Sequence, residues 1–146
     1  MDRDGLLLTK EAYNKMLEAM REAYPAEACG LLAGKPLNNL IDEIFISDND
    51  ARQDQNTFYY IDPQNLYRLE READSRGKGV IGIFHSHPDK PAVLSEEDES
   101  RMIPELLYII GSVTKDGCKE IYGYMKCGAD QEVISVTVSI TEGEGQ

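Results

Sequence analysis

The stretch "VIGIFHSH", residues 80–87, decides how this chain folds. It begins as a nearly continuous apolar run, which is typical of a central strand covered on both faces. It ends with the only two histidines of the chain, His85 and His87, and Pro88 follows them. Side chains two residues apart on a strand point to the same face. Both imidazoles are therefore expected to converge on one point at the end of a central strand.

The segments around this strand alternate between helical and extended patterns. A short strand, "GLLLT", is expected to lead through the N-cap Thr9 into an amphipathic helix over residues 10–24. A second helix is expected to begin at Asp62-Pro63, an N-cap followed by a proline at the first helical position. The segments predicted to form further strands are "ACGLLAG", "LIDEIFIS", "NTFYYI", "LLYIIGSV", "KEIYGYMK" and "EVISVTVSI". Together these patterns predict an α+β fold, a mixed sheet with helices packed against it, in one domain over residues 1–146.

The chain is strongly acidic. It has 15 Lys and Arg residues against 27 Asp and Glu residues, and its formal net charge is −12. Such a surface repels nucleic acid and anionic membranes, so neither is expected as the main partner. A basic partner is compatible with this charge, but acidity also serves solubility, and we favour that interpretation.

The cysteines and the N-terminus indicate the compartment. Cys29, Cys118 and Cys127 are odd in number and form no C-x-x-C pair. A disulfide framework is therefore not expected, which indicates a reducing compartment, and we assign these cysteines no chemistry. The N-terminal apolar run has only three leucines before charge returns, so it predicts neither a signal peptide nor a membrane span. The expected location is the cytoplasm.

A loop after the two histidines leads to "SEED", residues 95–98, where a carboxylate can return to the same point. Two imidazoles and one carboxylate leave a fourth tetrahedral position open for water, the composition of a catalytic zinc site. Ser95 and Asp98 also have the spacing of a capping box for a short helix that stops by Pro104, which needs no metal. The two interpretations are compatible, because Ser95 can cap the helix while Asp98 binds metal. Histidines at a strand end can also simply bond a backbone carbonyl.

A hydrolytic zinc site needs a base for the proton of its water. The best candidate is Glu27 in "AYPAEACGLLAG", between a helix-ending proline and an apolar strand. A glutamate in such a loop is more often merely solvated, and spacing alone does not select it over Glu96 or Glu97.

The combined pattern resembles the JAMM (MPN-plus) zinc metalloprotease family over essentially the whole chain. The pattern is "EACGLLAG", then after about fifty residues "HSHP", six residues and "SEED". The resemblance implies a curved mixed sheet flanked by helices, similar to cytidine deaminases. It implies the following site: Zn²⁺ bound by His85, His87 and Asp98, Glu27 as the base, and Ser95 as the oxyanion donor.

The resemblance also implies an activity. The family cleaves peptide or isopeptide bonds at the C-terminal tail of ubiquitin or ubiquitin-like proteins. The chain has no room for the long insertions of eukaryotic deubiquitinases and resembles the compact prokaryotic members, some of which act on sulfur-carrier adducts. We therefore expect zinc-dependent hydrolysis after the Gly-Gly tail of a ubiquitin-like sulfur carrier, with the loop at residues 88–94 closing a narrow channel around the tail.

Two alternatives belong to other functional classes. A non-catalytic MPN scaffold would bind a partner without turnover, and it is disfavoured because no ligand of the family pattern is missing. A zinc deaminase would need H-x-E with P-C-x-x-C. Neither motif occurs in this sequence.

Overall fold

The computed structural model describes residues 5–57, 59–128 and 132–141. The helices of this part are α1 (Lys10–Ala23), α2 (Pro63–Ser75) and α3 (Glu96–Ser100), with a short 3₁₀ helix at Pro36–Asn38. The strands are β1 (Leu6–Thr9), β2 (Cys29–Lys35), β3 (Leu40–Ser47), β4 (Gly79–Pro88), β5 (Leu107–Thr114), β6 (Gly117–Lys126), β7 (Val133–Val136) and β8 (Val138–Thr141). They form one mixed sheet in the order β7-β6-β5-β4-β2-β3-β1-β8.

Strand β4 lies in the middle of this sheet, as its apolar run predicts. It pairs antiparallel with β2 and parallel with β5, and its residues 82–88 are buried. Because β2 runs antiparallel, its first residue, Cys29, pairs with His85 near the end of β4. The residues just before β2, including Glu27, are thereby brought to the histidine end of the central strand.

The sheet curves because residues 133–141 connect its two ends. Strand β7 pairs antiparallel with β6, whereas β8, which follows after Thr137, pairs parallel with β1. At the break, the backbone N–H of Leu6 donates to the carbonyl of Thr137 at 2.8 Å. The prediction of one strand for "EVISVTVSI" is therefore wrong, because its two halves pair with different partners.

The helices cover both faces of the sheet. Leu32 on β2 packs in the core that contains α1, whereas its neighbours Leu31 and Ala33 pack in the core that contains α2. Helix α1 approaches β5 closely where Gly111 lies under Met20, since a Cβ at position 111 would collide with the Met20 sulfur. The predicted α+β architecture is thus confirmed. No helix in the described part of the chain is long and apolar enough to cross a membrane.

The helix starts follow their sequence signals. The Thr9 Oγ1 accepts a hydrogen bond from the backbone N–H of Ala12 at 3.1 Å, and the Asp62 Oδ1 accepts one from the N–H of Gln64 at 2.9 Å. Helix α2 ends before Gly77, whose φ of +72° is a conformation that favours glycine. The predicted caps of both helices are confirmed.

The strand predicted at "NTFYYI" is wrong. Thr57 lies in a turn, residues 59–61 belong to no strand, and Phe58 lies outside the described residues. The backbone here bonds to neighbouring polar groups instead of a strand. The N–H of Tyr60 donates to Asn49 Oδ1 at 3.1 Å, and the carbonyl of Tyr60 accepts from the N–H of Asp50 at 2.7 Å. Side-chain acceptors of this kind offer the backbone an alternative to a sheet ladder.

Candidate metal centre

Three of the sequence-predicted residues meet at the end of β4. His85 and His87 extend from one face of the strand, and Asp98 approaches them from α3. The Asp98 Oδ2 lies 2.9 Å from His87 Nε2 and 3.3 Å from His85 Nε2. The ligand atoms of the three residues all lie within 4.8 Å of one another, so the group could hold a metal ion.

The hydrogen bonding of the imidazoles fits a cation at this point. His87 Nδ1 lies 3.0 Å from the carbonyl of Pro91, so in the neutral ring Nδ1 carries the hydrogen and Nε2 a lone pair. That lone pair faces the Asp98 oxygen, which also only accepts, and two such acceptors need a proton or a metal ion between them.

The environment of His85 also indicates a cation at this position. Both of its ring nitrogens are buried and have no hydrogen-bond partner in the described part of the chain. Its Nε2 lies near Asp98 but is not aligned for a hydrogen bond. Leaving such groups unsatisfied is costly, and a metal bound to Nε2 would satisfy one of them.

Burial and the carboxylate set the protonation of this group. Burial lowers the pKa of His85, so this ring is neutral and can act as a ligand. For His87, contacts with Asp98 and the Pro91 carbonyl outweigh burial and raise the pKa. Burial would also raise the pKa of Asp98, but the two imidazoles hold it well below its usual range. Because His85 is neutral, we assign this stabilisation of the carboxylate chiefly to His87.

Glu27 is held beside the histidines by the residue between them. Ser86 points to the other side of β4, where its Oγ accepts from the N–H of Ala28 at 2.8 Å. Its own N–H donates to the Ala28 carbonyl at 3.1 Å. Ser86 thereby ties the residue after Glu27 to the centre of the HSH motif, a function of this serine that the sequence pattern does not reveal.

The Glu27 side chain is only 4% exposed, and its Oε1 has no hydrogen-bond partner in the described part of the chain. Burial raises the pKa of this carboxyl to about 8, although the nearby His87 opposes the shift. A group that releases or accepts a proton near neutral pH suits general acid–base chemistry.

A small cavity connects these groups. Its volume is about 170 Å³, and it is lined by Glu27, Thr57, His87, Lys90, Pro91, Val93, Ser95 and Asp98. A larger cavity of about 710 Å³ lies elsewhere, beside Asp50 and Asp62. We assign the candidate active site to the smaller cavity, because that cavity is lined by the candidate base and by two of the candidate metal ligands.

Ser95 forms the predicted capping box. Its Oγ accepts from the N–H of Asp98 at 3.0 Å, and its own N–H donates to Asp98 Oδ2 at 3.2 Å. The cap uses the hydroxyl as an acceptor, so its hydrogen remains able to donate. The capping prediction is confirmed, and the catalytic role of Ser95 stays a prediction.

Sequence reasoning missed two residues at this site. The Tyr59 ring stacks on His85, with centroids 4.4 Å apart and an interplanar angle of 22°. The periodicity around Tyr59 predicts a strand and does not reveal this contact. Lys90 lines the cavity, and its one sequence signal is that it is the only cationic residue between the histidines and Asp98.

Comparison with known proteins defines the class. The profile of prokaryotic homologs of the JAB domain matches residues 9–134, so the chain belongs to this family. This confirms the resemblance to the JAMM family, together with its JAB/MPN fold.

Named relatives narrow the class further. The chain is 30% identical over 117 residues to a desampylase of Haloferax volcanii, covering 77% of this chain and 84% of that protein. It is 28% identical over 120 residues to a CysO-cysteine peptidase of Mycobacterium bovis, covering 82% and 81%. The solution structure of DSY2949 from Desulfitobacterium hafniense matches with a TM-score of 0.83 at 27% identity, covering 94% of both chains. The chain is a compact prokaryotic peptidase of the JAMM type.

Proposed function

We propose that the chain is a zinc-dependent hydrolase that cleaves the peptide or isopeptide bond after the C-terminal Gly-Gly tail of a ubiquitin-like sulfur-carrier protein. The observation that carries this proposal is the meeting of two imidazoles and one carboxylate beside a buried glutamate. The relatives support the substrate class, since one is named a desampylase and another a CysO-cysteine peptidase.

His85, His87 and Asp98 are the residues that would hold the zinc. Two imidazoles and a carboxylate are a known donor set of catalytic zinc sites. When bound, zinc supplies Lewis-acid polarisation of the scissile carbonyl and lowers the pKa of a water to about 7. The hydrogen bond from His87 Nδ1 to the Pro91 carbonyl orients this ring for such a role.

Glu27 is the proposed proton carrier. Its carboxylate takes a proton from the attacking water as the oxygen bonds to the scissile carbon. The same proton then passes to the departing amine nitrogen as the C–N bond breaks. A cation held close to Glu27 lowers its pKa from the raised value that burial produces, which favours the ionised base at neutral pH.

Ser95 is the proposed oxyanion donor. Its hydroxyl hydrogen points to the carbonyl oxygen in the step where negative charge develops there, while the lone pairs keep the helix cap. A comparable donor contributes about 3–4 kcal/mol to transition-state stabilisation.

The proposed setting is the cytoplasm, without nucleic acid or membrane as partner. The net charge of −12 and the free cysteines of the chain support this setting.

The test combines metal content with one substitution. Purified protein is analysed for zinc and then tested on a ubiquitin-like protein whose C-terminus is extended beyond Gly-Gly. We expect one zinc per chain and hydrolysis after the second glycine. The variant Glu27→Gln should keep the zinc and lose roughly 10²–10⁴-fold in turnover, because the proton has no acceptor. The exposed Glu22→Gln is the matched control.

Three outcomes would contradict this proposal. A chain that neither contains nor binds zinc would refute the metal site. A partner bound without turnover would instead support the non-catalytic scaffold. Equal loss of zinc in Glu27→Gln and in a ligand variant would move Glu27 into the coordination shell.

A further inference from the structure

We propose that Lys90 selects a leaving group with a free α-carboxylate, so that the enzyme removes a single amino acid from the Gly-Gly tail. This inference rests on the proposed function and specifies its substrate class. It separates a terminal amino-acid adduct from a lysine-linked protein conjugate.

The cavity is small enough to favour such a leaving group. Its volume is about 170 Å³. Sites for drug-sized ligands usually have about 300–1,000 Å³. The space beside Glu27 and Asp98 is therefore suited to a small group such as a single released residue.

Lys90 lines the same cavity as the candidate base Glu27 and the candidate ligand Asp98, and the two substrate classes differ in charge close to the scissile bond. In an amino-acid adduct, the carboxylate carbon is two bonds from the scissile nitrogen. In a conjugate through a lysine side chain, methylene groups occupy that position and carry no charge. A cation that lines this cavity can therefore pair with the carboxylate of the first leaving group, whereas the second has no charge there to pair with.

The cavity combines one lysine with two carboxyl groups. Lys90 is the only lysine or arginine that lines the cavity in the described part of the chain, whereas Glu27 and Asp98 contribute carboxyl groups. Its positive charge also lowers the pKa of Glu27, against the larger effect of burial. The chain as a whole carries a net charge of −12 and repels an anionic leaving group.

The loop around Lys90 is held rigidly. Backbone carbonyls of three successive residues accept side-chain hydrogen bonds: Lys90 from Ser112, Pro91 from His87 and Ala92 from Tyr124. The backbone N–H of Asp89 also donates to the carbonyl of Val113 at 2.7 Å. The base of the lysine side chain is thus fixed, so little backbone entropy is lost when it binds an anion.

The experiment uses a matched pair of substrates. One is a ubiquitin-like protein ending in Gly-Gly-Ala with a free carboxylate, and the other is the same protein with a C-terminal carboxamide. The measured quantity is the ratio of kcat/KM for the acid to that for the amide. We expect a ratio of about ten in the wild type, the discrimination of one charge-assisted hydrogen bond. In Lys90→Gln the ratio should fall to about one.

Two further variants serve as controls. Lys90→Arg should keep most of the preference for the acid, because it keeps the charge. Lys35→Gln removes the same charge from an exposed residue at the opposite end of the sheet, and it should keep the wild-type ratio. Zinc content and the thermal unfolding midpoint show whether each variant is folded.

The outcomes separate the two proposals. A wild-type ratio of one, or a ratio that Lys90→Gln leaves at its wild-type value, overturns the role of Lys90 while hydrolysis itself supports the proposed function. A wild-type enzyme that contains zinc but cleaves neither substrate overturns both.

Discussion

Thr9 and Ser95 cap their helices with the same chemistry. In each case a side-chain hydroxyl accepts a hydrogen bond from the backbone N–H three residues later, at 3.1 Å in α1 and 3.0 Å in α3. The helices that follow differ. Helix α1 has 14 residues and buries Ala12, Met16, Ala19 and Met20, whereas α3 has five residues and buries none.

The difference shows what each cap is for. An isolated helix of five residues is unstable, and most helical stability in proteins comes from packing an apolar face. Helix α3 has no such face, so its own residues are held by the capping box and by the contacts of Asp98 with the two histidines, while Leu94 and Met102 on either side of it pack in the core that contains α2. The cap at Thr9 supports a helix that packs in the core, and the cap at Ser95 supports a helix that carries one residue of the candidate metal centre.

The largest effect is expected from Asp98→Ala. This change removes a proposed metal ligand, and even changes outside the coordination shell cost about 10–100-fold in metal affinity. We therefore expect zinc affinity to fall by more than about 100-fold and hydrolysis to be lost. The melting temperature of the zinc-free protein should also fall, because the change removes one half of the capping box and the contacts of Asp98 with the two histidines. Competition titration with a chelator and thermal unfolding measure the two quantities.

The matched control is Glu99→Ala, which removes an exposed carboxylate from the same helix. If Asp98→Ala bound zinc as tightly as this control, α3 would not contribute to the metal centre.

An intermediate effect is expected from Ser95→Ala. As an oxyanion donor, Ser95 should contribute a factor of about 10²–10³ to kcat, and zinc content should stay at the wild-type level. Loss of the cap should lower the free energy of unfolding by a further ~1 kcal/mol. Ser100→Ala in the same helix is the control. A variant with lowered stability and wild-type kcat would leave Ser95 only the capping role.

The smallest effect is expected from Thr9→Ala. Its cap should contribute about 0.5–2 kcal/mol to the free energy of unfolding, measured by urea denaturation. Zinc affinity and kcat should match the wild type at temperatures where the variant is folded. Thr9→Ser, which retains the accepting oxygen, should restore most of the stability. Reduced zinc affinity in folded Thr9→Ala would show that the two caps are not independent.

Much of the fold could be predicted because its signals are local. Thr9 and Asp62 are N-cap residues that predict the starts of α1 and α2. The segment "LIDEIFIS", with its nearly alternating isoleucines, coincides with β3 from its first residue to its last. The apolar run of β4 predicts its central position. Each of these elements carries its own cap, proline or periodicity, so no distant partner has to be known.

The two strand predictions that were wrong concern segments whose structure depends on residues far away in the sequence. Residues 133–141 have a continuous extended pattern, and only their pairing with both β6 and β1 divides them at Thr137. Tyr59 lies in a segment whose pattern predicts a strand, but it belongs to no strand and its ring stacks on His85. Neither partner is visible in a window of neighbouring residues.

The candidate site divides in the same way. The spacing of the histidines and "SEED" predicts that His85, His87 and Asp98 lie close together. The two histidines share one face of a strand, and the capping box fixes Asp98 in the first turn of α3. Lys90 could not be predicted, because its place in the cavity depends on the path of the loop and on its hydrogen bonds to β5 and β6.

The connection of both sheet ends by residues 133–141 also affects how the chain is made. These residues are synthesised after β1 and β6, so each of those strands has an unpaired edge until they arrive. Unpaired strand edges are where separate chains add to one another. The net charge of −12 makes newly made copies repel during this interval. We therefore expect the acidity of the chain to oppose edge-to-edge association whenever residues 133–141 are not yet paired.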